Sequence, residues 1–235
     1  MASLAQAPQG VPRAGAGFVR WHYPVGSVLL LVLSLIAFGD NLLTDIHQPS
    51  NSDPKMVVHG LFALGWMVLL VVQANLPRMG KMQLHRRLRV SAFWVGAGTV
   101  LATLYLFYAV FRGWSVMTPE VLANRVMLPS FGIALLAAWR LRNRPDWHKR
   151  LVYCGTLFLL SPILSRVYDP VVAPLLPPYP PGEDDHLFYS FLVIVWGGFF
   201  VGQLTYDWLK DRRLHPVSLA AFGWTALVNL GLYVL

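Results

Sequence analysis

Long apolar stretches alternate along this chain with short clusters of charge. The stretch 57–76 sets the pattern, since no charged residue falls between Gly60 and Asn75. A helix rising about 1.5 Å per residue needs about 20 apolar residues to cross a hydrocarbon core of about 30 Å. Comparable stretches occupy 24–43, 90–111, 121–140, 150–168, 187–208 and 217–235. The predicted fold class is therefore all-α: an integral membrane seven-helix bundle over residues 24–235, with no soluble domain. Residues 1–23 are rich in Ala, Gly and Pro and are expected to form a flexible cytoplasmic tail, not a cleaved signal peptide. Pro129 predicts a kink in the fourth span, and the six prolines of 170–185 predict an extended outer loop.

Charge orients the bundle. Arg78, Lys81, Arg86, Arg87 and Arg89 follow the second span, Arg140, Arg142, Arg144, Lys149 and Arg150 follow the fourth, and Lys210, Arg212 and Arg213 follow the sixth. On this layout 15 of the 19 Lys and Arg lie on one side and 8 of the 11 Asp and Glu on the other. The positive-inside rule then puts the N-terminus in the cytoplasm and the C-terminus outside. At 56% hydrophobic and 13% charged residues the chain is too apolar for a soluble globule. The net charge of +8 is accounted for by the loops, which removes the argument for nucleic-acid binding. Cys154 is the only cysteine, so no intrachain disulfide forms.

Four histidines, His22, His85, His148 and His215, stand before the odd-numbered spans, and LHRRL at 84–88 matches WHKRL at 147–151. Their regular spacing suggests an internal helical-hairpin repeat with the imidazoles at one depth on the cytoplasmic face. One reading makes them interfacial anchors that bond lipid phosphates or loop carbonyls. The other joins His85, His148, His215 and Asp207 into a site for a divalent transition metal, serving a metal-dependent lipid hydrolase.

On the outer side His59 and His186 begin the second and sixth spans at matching depth, where two histidines on different helices would hold haem b. Loop carboxylates there, including Asp40 and Asp169, offer a divalent-cation site instead, or are simply solvated. His59, Trp66 and Gln73 recur every seven residues and share a face, so Gln73 is expected to point inward and bond to another helix. His148 and Arg166, eighteen residues or five full turns apart on the fifth span, line one face, and Gln203 and Asp207 share a face at i and i+4. Gln73 and Arg166 thus complete a candidate cofactor-binding set with His59 and His186. Gly197, Gly198 and Gly202 mark a surface that another helix can approach closely.

Taken together, the His59 helix, LHRRL, HKRL at 148–151 and YDWLKDRRLHP at 206–216 resemble an uncharacterised group of bacterial multi-pass membrane proteins, over roughly residues 57–218. More distantly, the helix starts are similar in layout to cytochrome b561 and ferric-reductase transmembrane domains. That resemblance implies a bacterial inner-membrane location and haem-linked electron transfer. The family pairs its histidines within the membrane, whereas the seven here fall at or beyond span ends. The HxxxH pair of ceramidase-type hydrolases is absent, and the seventh span has no lysine for a retinal Schiff base. A competing class is a non-enzymatic bundle that binds lipid or packs against partner subunits of a larger membrane complex.

Overall fold

Prolines punctuate the chain where helices begin. Pro54, Pro119, Pro145 and Pro216 each occupy the first position of a helix, where a missing N–H costs nothing and a fixed φ is already helical. The computed structural model describes residues 15–176 and 184–234. The helices are α1 (Ala16–Ala37), the single turn α2 (Pro49–Ser52), α3 (Pro54–Asn75), α4 (Met82–Ala109), α5 (Pro119–Arg140), α6 (Pro145–Leu157), α7 (Ser161–Val167), α8 (Asp184–Asp211) and α9 (Pro216–Val234). No strand occurs among the described residues.

Five of these helices, α1, α3, α4, α5 and α8 from His186, are long and apolar enough to cross a membrane. The predicted fifth span is not one helix. It is α6 followed by α7 and its continuation to Leu175, bent by 47° at the break, and it makes a sixth crossing if the pair is one span. The break has a local cause: Pro162 lacks the N–H that would bond the Phe158 carbonyl, so regular α-helix stops and restarts at Ser161. In α9 the apolar stretch Pro216–Gly231 is shorter than the other spans. Other boundaries also differ from the sequence reading. Helix α1 starts at Ala16 instead of 24, so residues placed in a flexible tail are helical there, while 1–14 lie outside the described residues. Helix α4 starts at Met82, so Arg86, Arg87 and Arg89 are helical. Residues 168–172 form a π-helical turn and 173–175 a 3-10 turn where extended chain was expected, and 177–183 lie outside the described residues. Helix α5 carries Pro129 within it, where the sequence placed it.

The core joins Leu30, Trp66, Met127, Phe131, Leu157, Leu164 and Phe200 from six helices. Outward faces carry exposed apolar side chains such as Leu61, Tyr105, Ile133, Val193 and Ile194, as a bundle compatible with a lipid surround requires. Helix α3 packs on α1 and α4, α5 on α4, α6 and α9, and α7 on α1 and α8. Close approach depends on Gly155, where a Cβ would lie 2.8 Å from the Ala134 Cβ. By contrast, among the described residues nothing lies within 4 Å of the Cβ positions of Gly197 and Gly198, so the predicted approach surface on α8 meets no described helix there. Gly155→Val should force α5 and α6 apart and cost about 1–3 kcal/mol. Thermal unfolding in detergent measures it, and Ala134→Gly in the same chain should restore part of the loss.

Candidate functional site

The hairpins α3–α4 and α5–α6 and the first turns of α1 enclose a cavity of about 1170 Å³. Its deep wall is mostly apolar: Trp66, Leu70, Phe93, Leu135 and Val152, with Ser27 and Tyr153. Its mouth is cationic, bordered by Arg20, Arg78, Arg86, Arg89, Arg142 and Lys149, and no Asp or Glu lines it. Lys149 is paired with Asp146 at 2.9 Å. The five arginines have no carboxylate within 4 Å among the described residues; Arg78 stacks on Trp21 at 3.9 Å and Arg142 on Trp139 at 5.1 Å. From Ala74 near the mouth to Trp66 is eight helical residues, so the cavity reaches about 12 Å along α3.

Two of the repeated histidines stand at this mouth in equivalent roles. His85 Nδ1 donates to the Gln73 carbonyl at 3.2 Å, and His148 Nδ1 donates to the Ala138 carbonyl at 2.9 Å. Each ties the start of its helix to the end of the preceding one, closing a hairpin. The shared face of Trp66 and Gln73 is also present, since both border the cavity. Gln73 does not bond across to another helix as expected: both amide atoms are buried and without a hydrogen-bond partner.

On the other side of α6 lies a polar network that sequence reasoning missed. Arg150 and Asp207 are fully buried, with Arg150 Nε donating to Asp207 Oδ1 at 2.7 Å and Nη2 to Asp211 at 2.9 Å. Gln203 Nε2 donates to Asp207 at 3.2 Å and to Ser218 at 3.1 Å, while its carbonyl accepts from His22 Nε2 at 3.1 Å. Tyr23, Tyr153 and Tyr206 pack around the His22 ring. The network therefore joins α1, α6, α8 and α9. The i, i+4 pair Gln203 and Asp207 was legible in the sequence. Arg150 was not, because it reads as one more cation in a basic loop.

The predicted metal set does not come together. His85 and His148 border the cavity, His215 sits edge-on to Trp147 at 4.9 Å, and Asp207 is held by Arg150. Among the described residues no three His, Cys, Asp or Glu side chains are placed to hold a metal ion. The haem set is dispersed as well. His59 Nδ1 donates to Thr103 at 3.0 Å, whereas His186 is exposed at the start of α8, whose main neighbours are α1, α7, α9 and α6 and do not include α3. Arg166 is exposed and lies over the Phe38 ring at 4.9 Å; the bend between α6 and α7 removes the face it was expected to share with His148. These residues do not fit a bis-histidine haem site. Comparison with protein-family models, curated proteins and solved structures gives no match, so the site stands on its own geometry.

Two predictions follow from the polar groups beside α6. Arg150→Met leaves the Asp207 carboxylate buried and uncompensated and should cost about 3–5 kcal/mol, whereas Arg150→Met with Asp207→Leu should recover most of it. Unfolding of both variants in detergent measures the difference. At His215 the Val217 N–H donates to Nδ1 at 3.2 Å, which requires that nitrogen to be unprotonated. Burial, with Arg150 nearby, pushes the His215 pKa below the ordinary imidazole value. The folded chain then binds fewer protons than the unfolded one below about pH 6.5, so stability falls as pH is lowered through that range. His215→Gln should flatten this part of the melting-temperature profile between about pH 7 and about pH 5.

Proposed function

We propose that this chain is a polytopic inner-membrane protein that holds an anionic lipid in the cavity between α1, α3, α4, α5 and α6, as a binding protein without chemistry of its own. In this reading the bent α6–α7 pair is one crossing and α9 the last. Seven crossings then put the N-terminus and the cavity mouth on the cytoplasmic side, the C-terminus outside. The grouping of Arg20, Arg78, Arg89 and Arg142 around one mouth supports this layout, since it brings the predicted cytoplasmic segments to a single end of the bundle.

The observation that carries the proposal is the pairing of a mostly apolar depth with a mouth of five arginines that, among the described residues, has no acidic side chain lining it and no carboxylate partner for them. Guanidinium groups bind phosphate oxygens bidentately, and a mostly apolar channel of about 12 Å takes part of an acyl chain. The electron-transfer reading has only the resemblance behind it, and the hydrolase reading needs a four-ligand cluster that the described residues do not form.

The purified protein in mixed micelles should retain phosphatidylglycerol in preference to phosphatidylcholine, scored by native mass spectrometry. Arg86→Gln with Arg89→Gln should weaken that retention about a hundredfold or more, on the order of two charge-assisted bonds. Equal retention of the two lipids by the wild-type chain would overturn the proposal.

A further inference from the structure

The hydrogen bonds of His85 and His148 fix where their protons are. A backbone carbonyl has only lone pairs to offer, so Nδ1 of each ring must carry the hydrogen that it donates to Gln73 or Ala138. In the neutral imidazole the other nitrogen, Nε2, is then an acceptor. Neither Nε2 has a hydrogen-bond partner among the described residues, and neither is among the buried unpaired atoms, so both remain open to solvent beside the cavity.

The mouth therefore presents two kinds of recognition. Arg78, Arg86, Arg89 and Arg142 offer N–H donors without carboxylates, and the two imidazoles offer bare acceptors. A metal cation would satisfy the nitrogens but is repelled by the arginines around them. A simple phosphodiester would satisfy the arginines and leave both imidazoles unmet. A phosphodiester carrying free hydroxyls satisfies both sets, with phosphate oxygens accepting from guanidinium and hydroxyls donating to Nε2.

Resting on the reading of the cavity as an anionic-lipid site, we propose that its ligand is a phospholipid whose headgroup bears hydroxyls, phosphatidylglycerol being the simplest, with His85 and His148 as the residues that select it. The decisive comparison is phosphatidylglycerol against phosphatidylmethanol, which has the same charge and the same diester but no hydroxyl. It is made on the full-length protein at about pH 8, above the ordinary imidazole range of about 6.5. Wild-type protein should favour phosphatidylglycerol about tenfold, as expected for two neutral hydrogen bonds.

His85→Asn and His148→Asn each keep a side-chain N–H close to where Nδ1 donated and remove Nε2. Variants that melt like the wild type should each lose about threefold of the tenfold preference, and the double variant most of it, while all keep the preference of both anionic lipids over phosphatidylcholine. Should wild-type protein bind phosphatidylglycerol and phosphatidylmethanol equally, yet both better than phosphatidylcholine, the hydroxyl inference fails and the anionic-lipid reading stands. If all three lipids bind alike, both fail. Competition by glycerol phosphate as strong as by the lipid would also overturn the proposal, since the ligand would then be soluble.

Discussion

The bundle depends on how one buried cation is compensated. Arg150 has no exposed surface, and removing a charge from water is tolerated only when partners surround it. Asp207 and Asp211 supply that surround from α8, and the Asp146 carbonyl accepts a further guanidinium hydrogen at 2.9 Å from within α6. Because Gln203, His22 and Ser218 extend the same set of bonds, the register of α1 and α9 is tied to this ion pair as well. The neighbouring residues of α6, His148 and Lys149, form part of the cavity wall. One face of a single helical turn thus anchors the helix to its partners while the other shapes the cavity.

The two polar regions are built on opposite electrostatic principles. Around Arg150 each cation has a carboxylate: Lys149 pairs with Asp146, Lys210 with Asp146, and Arg150 with Asp207 and Asp211. At the cavity mouth the arginines are steadied by rings and carbonyls instead, Arg78 by Trp21 and Arg142 by Trp139. Aromatic faces hold a guanidinium in place without neutralising it. The first arrangement stabilises a fold, and the second leaves charge available to a ligand.

How much of this was legible in the sequence follows from which interactions are local. Apolar length and charge placement located the long helices, because crossing a hydrophobic layer is a property of one segment. The bend before Pro162 was missed since a continuous apolar run masks a proline near its middle. Helical spacing paired Gln203 with Asp207, and Trp66 with Gln73, because i, i+4 and i, i+7 relations need no knowledge of neighbours. Partners on other helices were not recoverable. Arg87 and Arg150 occupy the same place in LHRRL and WHKRL, yet Arg87 is exposed and Arg150 is buried. The repeat likewise predicted four equivalent histidines, and only His85 and His148 share a role. His22 donates to Gln203, and His215 accepts from Val217.

The junction between α6 and α7 remains hydrogen-bonded as it turns. Phe158, Leu159 and Leu160 donate to Gly155, Thr156 and Leu157, three successive bonds to the residue three back. The backbone therefore changes direction in an apolar setting without leaving these N–H groups bare. Its two halves address different company, α6 lying against α5 and α9 and α7 mainly against α1. The wall beside His148 and the packing around Leu164 thus lie on two differently directed rods of one continuous, hydrogen-bonded backbone.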